Sequence, residues 1–207
     1  MSDRLELSGF RLEKLQSVFG SRQQPVIDEM LALLERAIAT GKGLPAELSE
    51  PSFQVMRSVL HDAINGGVPL PGLEEEYEPH AILASWLAHH GQKHRRTDCD
   101  IKAVPLKDFH EQYGKLLGTA GSQLFAYLVN GRPLFGTRFR PGSALVYGYL
   151  TRSEAGKLST SLERFTEREW QPKGDWDEDD VEELISDFIE WLDDLKSRKL
   201  DVWAFLS

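Results

Sequence analysis

The chain has 207 residues, of which 41% are hydrophobic and 10% aromatic, which is enough apolar material for a sizeable core and excludes a disordered protein. Its 33 acidic and 24 basic residues give a formal net charge of −9, which disfavours binding to nucleic acid and to anionic membrane surfaces. The single cysteine, Cys99, cannot form an intramolecular disulfide, so the disulfide framework of a small secreted protein is excluded.

The N-terminal segment MSDRLELSGF is charged and contains no apolar stretch of the length that a signal peptide needs. No segment of the chain reaches the roughly 18 consecutive apolar residues of a membrane span. We therefore expect a cytoplasmic protein that does not bind membranes. Because the sequence shows no internal repeat and no long flexible linker, we expect a single domain over residues 1–207.

The first half of the chain is predicted to be helical, because its apolar residues recur at every third or fourth position. Pro25 fits the first turn of the strongest of these segments, where a missing N–H has no consequence. Glycines follow most of the segments and mark helix ends. The predicted helices cover residues 12–19, 25–38, 51–64, 77–90 and 105–117.

The middle of the chain changes to short apolar runs that are separated by turn residues. LFAYLV (124–129) precedes Asn130-Gly131, and PLFGTRF (133–139) precedes Pro141-Gly142 and then ALVYGYL (144–150). Asn-Gly and Pro-Gly pairs favour tight turns between strands. The pattern predicts three strands that pair as an antiparallel meander.

Two amphipathic helices and a strand are predicted to close the chain. Thr151 and Glu154 have the spacing of a capping box at the start of the first helix. The second helix begins in DWDEDD (175–180) and continues to Leu195. LDVWAFL (200–206) is apolar on both faces, so we expect it at the centre of a sheet. The predicted fold class is α+β, with a helical N-terminal half, a small and mainly antiparallel sheet, two C-terminal helices and a final strand.

The C-terminal part of the chain resembles known proteins. YGYLTRSEAGKLSTSL (147–162), an acidic amphipathic helix (177–195) and the closing strand LDVWAFLS (200–207) occur in the order found in the YfbM-like group of uncharacterised bacterial proteins. LEKLQSVFGS (13–22) and INGG (64–67) are similar to related families of unknown function. The resemblance implies an α+β bacterial domain, and it supplies no catalytic residue because the shared positions are those of caps, turns and core.

The histidines suggest a metal site, but their spacing argues against one. His90 and His94 are four residues apart and precede Cys99, yet Gly91 between them interrupts the helical geometry that this spacing needs. No paired Cys-x-x-Cys motif is present, and no serine-nucleophile or phosphate-loop motif either. We therefore expect no metal and no cofactor, and the sequence leans against an enzyme. All histidines lie between residues 61 and 110, namely His61, His80, His89, His90, His94 and His110.

Two acidic runs, EEEYE (74–78) and DWDEDDVEE (175–183), each stand where a helix is predicted to begin. The second is not a calcium loop, because Asp180 stands where that loop needs glycine and Ser186 where it needs glutamate. Acids are favourable at helix starts, but these runs hold more charge than capping requires. We expect the surplus to bind a basic protein partner. The candidate partner-binding residues are Glu74, Glu75, Glu76, Asp177 and Asp179.

The favoured function is therefore a protein-interaction module, such as an acidic immunity or antitoxin-like inhibitor. The short basic run KHRR (93–96) has no interleaved aromatic residues, so nucleic-acid binding is not expected. The alternative is an undescribed enzyme or small-ligand-binding protein, whose cleft is lined by His and Asp residues from the region 61–110.

Overall fold

The structure, a computed structural model, combines helices with a small antiparallel sheet, and the predicted α+β class is confirmed. It describes residues 5–18, 21–22, 24–25, 28–29, 32, 103–132, 146–174 and 176–206. In chain order the elements are β1 (Leu5–Phe10), α1 (Leu12–Val18), α2 (Ala103–Tyr113), a 3₁₀ helix (Gly114–Leu117), α3 (Gly118–Val129), β2 (Val146–Leu150), α4 (Arg152–Thr166), α5 (Glu178–Ser197) and β3 (Asp201–Leu206).

The final strand lies at the centre of the three-stranded sheet, as its uninterrupted apolar sequence predicts. The strand order is β1-β3-β2, and β3 pairs antiparallel with both neighbours. Ala204 stands opposite Leu7 on one side and Gly148 on the other. β1 was not predicted, because its six residues pair with the other end of the chain rather than with a neighbouring hairpin strand.

The central strand β3 is buried on both faces at Val202, Trp203 and Ala204. Side chains alternate between the faces of a strand, so Val202 and Ala204 share one face and Trp203 lies on the other. The first face joins the main core with Leu7 and Leu150. On the second face Trp203 is 1% exposed, and its ring meets that of Phe10 edge-on at a centroid distance of 5.6 Å.

The segment LFAYLV (124–129) is helical, so the prediction of a strand there is wrong. It forms the second half of α3, whose buried residues Gly121, Leu124, Phe125, Leu128 and Val129 follow the spacing of one helix face. A short apolar run fits a strand and a buried helix equally well, and the preceding residues 118–123 decide in favour of the helix. The glycine-containing segment GKLLGTAGS (114–122) forms the 3₁₀ helix and the start of α3. Of the predicted meander, β2 is confirmed within 144–150.

An aromatic cluster joins the helices on the first face of the sheet. The ring of Phe109 in α2 lies 5.3 Å from Tyr113, 5.4 Å from Phe125 in α3 and 5.8 Å from Phe165 in α4, between centroids. Phe188 in α5 adds a further contact to Phe125 at 5.6 Å. These rings bury large apolar areas, and they fix the positions of four helices relative to one another.

The other helix predictions have mixed outcomes. Helices are confirmed at Leu12–Val18 and, as α2 followed by the 3₁₀ helix, at 103–117. Residues 24, 25, 28, 29 and 32 are helical, in agreement with the helix predicted over 25–38. The helices predicted over 51–64 and 77–90 and the strand over 133–139 lie outside the described residues. Within the described part of the chain, no helix combines the length and apolar character needed to cross a membrane.

Candidate protein-interaction surface

Acidic residues form the N-cap and the first turn of α5. The backbone of Asp177 is extended, and its carboxylate accepts a hydrogen bond of 2.8 Å from the N–H of Asp180. Asp177 is therefore the N-cap of the helix. Glu178, Asp179 and Asp180 fill the first turn, where the unpaired backbone N–H groups favour negative charge.

One face of α5 is fixed in the core. The apolar residues of this face recur at every third or fourth position, and none of these six residues is more than 4% exposed. This face packs mainly against α4 and also contacts β3. The packing sets the rotation of the helix about its axis, and so it determines which side chains face solvent. The buried residues are Val181, Ile185, Phe188, Trp191, Leu192 and Leu195.

The opposite side of α5 is almost entirely acidic. Every exposed residue of the helix before Lys196 is Asp or Glu, with the exception of Ser186. No Lys or Arg occurs between residues 174 and 195. We call this surface the α5 acidic face, and it consists of Glu178, Asp179, Asp180, Glu182, Glu183, Asp187, Glu190 and Asp193.

Contacts within the described part of the chain neutralise little of this charge. The cations that reach α5 there are at its C-terminal end, where Lys196 lies 3.9 Å from Asp193 and Arg198 lies 3.0 Å from Asp194. Acids four residues apart, such as Glu183 and Asp187, repel each other by about 0.2–0.5 kcal/mol in a helix. The arrangement therefore opposes helix formation slightly, and burial of the apolar face compensates for this repulsion.

The connector that leads into α5 is held against α2 and the 3₁₀ helix. Trp176 donates a hydrogen bond from its indole N–H to the carboxylate of Asp108. The backbone N–H of Lys173 donates to the hydroxyl of Tyr113 at 2.7 Å, and Arg168 donates to the carbonyl of Leu116 at 2.6 Å. These contacts position the first turn of the α5 acidic face on the rest of the fold.

The structure places part of the predicted site on this face. Asp177 and Asp179 are exposed at the start of α5. Glu74, Glu75 and Glu76 lie outside the described residues. The sequence-based site did not include the acids of the later turns, such as Glu183, Asp187 and Glu190. Their spacing of three or four residues, opposite the apolar positions, was the signal that they form one surface with the first turn.

Of the histidines, His110 is the one within the described ranges, and its ring makes packing and hydrogen-bond contacts with α3. Its ring stacks on that of Phe125 at 5.7 Å between centroids, and its Nε2 lies 3.0 Å from the carbonyl oxygen of Ser122. His90, His94 and Cys99 lie outside the described residues, as do the other histidines of the alternative cleft. Among the residues that the structure covers, no three His, Cys, Asp or Glu side chains are grouped as metal ligands.

Comparison with known proteins gives the family. Over residues 1–207 the chain matches the family described as Domain of unknown function (DUF7691), and it belongs to that family. No curated protein and no solved structure matches the chain.

Proposed function

We propose that this member of the DUF7691 family is a protein-interaction module that binds a basic protein through the α5 acidic face. The proposed role is that of an acidic immunity or antitoxin-like inhibitor. The observation that carries the proposal is the composition of the exposed side of α5, which is acidic at every position before Lys196 but one.

Helix capping accounts for only part of this charge. Interaction with the helix dipole falls off within the first turn, which ends near Asp180. Glu183, Asp187 and Glu190 lie one to three turns further along the helix, where the dipole offers no comparable stabilisation. Their mutual repulsion weakens the isolated helix. We infer that these acids serve binding to another protein, because they do not stabilise the fold of the chain itself.

A surface with one sign of charge suits a partner of opposite charge. At about 1.5 Å per residue, the exposed acids from Glu178 to Asp193 extend over roughly 22 Å along the helix. Such a field speeds the diffusional encounter with a basic protein, and it disfavours acidic partners and nucleic acid. The apolar side of α5 is buried, so the binding surface is polar and its affinity depends on salt.

We also propose that the protein is bacterial and cytoplasmic, and that it is related to the YfbM-like group. The order of β2, the capped helix α4, the acidic helix α5 and the closing strand β3 supports this relationship. A cytoplasmic location is supported by the acidic composition and by the lone cysteine.

The proposal can be tested by affinity capture with two matched charge variants. The first, Glu183→Gln/Asp187→Asn/Glu190→Gln, removes three charges from the α5 acidic face. The second, Glu111→Gln/Glu163→Gln/Glu169→Gln, removes three charges from exposed positions elsewhere. The parent and both variants are used as bait in lysate of the source organism, and bound proteins are quantified by mass spectrometry.

We expect a basic protein to be captured by the parent and by the second variant, and to be lost with the first. Circular dichroism and thermal unfolding should show that both variants retain the fold. If both variants capture the same proteins in the same amounts as the parent, the α5 acidic face is not the binding surface.

A further inference from the structure

The guanidinium of Arg132 lies between two tyrosine rings, those of Tyr127 in α3 and Tyr149 in β2. Its central carbon is 4.5 Å from the ring centroid of Tyr127 and 4.4 Å from that of Tyr149. Both distances are within the range of a cation–π interaction. Nη1 of Arg132 also lies 3.0 and 2.9 Å from the two carboxylate oxygens of Glu154. Two aromatic faces and one anion therefore surround a single cation.

Three separate elements supply the walls of this site. Tyr127 belongs to α3, Tyr149 to β2 and Glu154 to the first turn of α4. We call the three residues the cation cage.

Each wall has contacts that do not involve Arg132, and Tyr127 packs, partly buried, against the hydrophobic core. Tyr149 is paired in the sheet opposite Trp203. Glu154 belongs to a capping box: its Oε2 accepts a hydrogen bond of 2.8 Å from the N–H of Thr151, and its own N–H donates to Thr151 Oγ1 at 3.3 Å. Because the walls are anchored in this way, the cage is preorganised for a cation.

Arg132 itself is attached differently from the walls. It lies two residues beyond Asn130, the exposed C-cap of α3, and follows Gly131, whose φ of 86° ends the helix. Arg132 belongs to neither a helix nor a strand. The side chains of Arg132 and Glu154 are 25% and 23% exposed, so the cage is accessible from solvent.

We propose that the cation cage is a binding site for an arginine side chain of another protein, and that Arg132 occupies it as an internal ligand until that arginine displaces it. The chain thus blocks its own site, and a partner must present its guanidinium at the same position between Tyr127 and Tyr149. This proposal does not depend on the α5 acidic face.

Arginine fits the cage better than lysine for geometric reasons. A guanidinium is planar and can stack on both rings at once, while its N–H groups reach the carboxylate in the plane between them. An ammonium is a compact and strongly hydrated charge that meets an aromatic face without stacking. The cage should therefore prefer a guanidinium to an ammonium of similar size.

The test uses the full chain with Arg132→Ala, which empties the cage. Methylguanidinium and methylammonium are the two probes, and the ring resonances of ¹³C-labelled tyrosine are followed by NMR during titration. The control protein is Arg132→Ala/Glu154→Gln, because glutamine retains the capping box but removes the negative charge. The parent protein provides the occupied cage.

We expect saturable shifts of the Tyr127 and Tyr149 resonances when methylguanidinium is added to Arg132→Ala. The parent should respond only at concentrations at least about tenfold higher, because its own arginine competes from a tethered position. Methylammonium and the double variant should give weaker binding. The proposal is overturned if Arg132→Ala shows no saturable shift, or if all three proteins respond alike.

If Arg132→Ala does not fold in the absence of a probe, a second measurement tests whether the cage binds a guanidinium. In that case the readout is the recovery of folded protein on addition of each probe, measured by circular dichroism. Recovery with methylguanidinium and not with methylammonium supports the cage. Recovery with neither, or with both equally, contradicts it.

Discussion

The carboxylate of Asp201, the first residue of β3, accepts a hydrogen bond of 2.8 Å from the backbone N–H of Arg152 at the start of α4. Its other oxygen accepts one of 2.8 Å from the N–H of Leu12 at the start of α1. A single side chain on the central strand thus satisfies one unpaired backbone donor at each of two helix N-termini. It joins segments that lie 49 and 189 residues away in the chain.

Replacing Asp201 should weaken both helix starts together. Loss of a carboxylate that caps a helix N-terminus typically costs about 1 kcal/mol, so Asp201→Ala should lower the free energy of unfolding by about 2 kcal/mol. Asp201→Asn retains one acceptor oxygen and should lose about half as much. Urea denaturation of the three proteins measures the series. Equal stability of the parent and the alanine variant would show that these hydrogen bonds contribute nothing.

Two glycines should respond to alanine in opposite directions. A Cβ at Gly148 in β2 would stand 1.8 Å from the carbonyl oxygen of Tyr127, and the backbone of α3 cannot yield as a side chain can. Gly148→Ala should therefore destabilise the protein by about 3 kcal/mol or prevent folding. A Cβ at Gly156 in α4 would meet nothing nearer than 3.9 Å, so Gly156→Ala should stabilise it by about 0.5–1 kcal/mol. Thermal unfolding distinguishes the two, and a stable Gly148→Ala protein would contradict the close approach of β2 and α3.

Glu154 should make stability depend on pH in the acidic range. Burial raises the pKa of its carboxyl group, but hydrogen bonds from Thr151 and Arg132 and the charge of Arg132 outweigh this effect and hold the pKa below its ordinary value of 4.5. The unfolded chain therefore binds the proton more readily than the folded chain. The stabilisation from Glu154 is complete above the ordinary value, and it is lost as pH falls through the lowered pKa.

Comparison with Glu154→Gln isolates this contribution. Glutamine preserves the capping box and does not titrate, so the stability difference between parent and variant should shrink as pH falls from about 6 towards 3. Urea denaturation at several pH values measures the difference. A difference that stays constant over this range would show that Glu154 does not titrate with a lowered pKa.

Removal of residues 200–207 should destroy the sheet. β3 is the strand that pairs with both β1 and β2, and Leu200, Val202, Trp203 and Ala204 are each no more than 1% exposed. Without them the two outer strands have no shared partner, and the apolar faces of the helices are uncovered. We expect insoluble protein or a molten state without a cooperative transition, while a control that lacks only Ser207 unfolds cooperatively. A cooperative, parent-like transition in the longer deletion would show that the strand is peripheral.

The features that the sequence predicts correctly are those that local chemistry determines. Thr151 and Glu154 are three residues apart, and their reciprocal hydrogen bonds form the capping box that this spacing indicates. The apolar period of α5 and its acidic start likewise depend on neighbouring residues, and LDVWAFL is apolar enough to indicate a central strand. These elements could be assigned without knowledge of the rest of the fold.

The features that the sequence does not predict depend on distant contacts. β1 is a strand because residues near the C-terminus pair with it, and no local turn signal announces that pairing. LFAYLV has strand-forming residues, yet it belongs to a helix because its apolar period continues from Gly121. Asp201 and Arg132 act on partners in other elements, so their roles become visible only in three dimensions. The α5 acidic face differs in this respect, since the spacing of its acids opposite the apolar positions is a signal within the sequence itself.

The central claim is that the α5 acidic face binds a basic protein, and the association rate of the captured partner tests it most directly. The rate is measured by stopped flow at low and at physiological salt for the parent, Glu183→Gln/Asp187→Asn/Glu190→Gln and the control Glu111→Gln/Glu163→Gln/Glu169→Gln. Complementary charge on two proteins mainly raises their association rate, and salt screens the attraction between the charges. We predict that the α5 variant associates at least about tenfold more slowly than the parent at low salt, and that its rate depends less on salt, while the control behaves as the parent does. Equal association rates for all three proteins at both salt concentrations would contradict the claim.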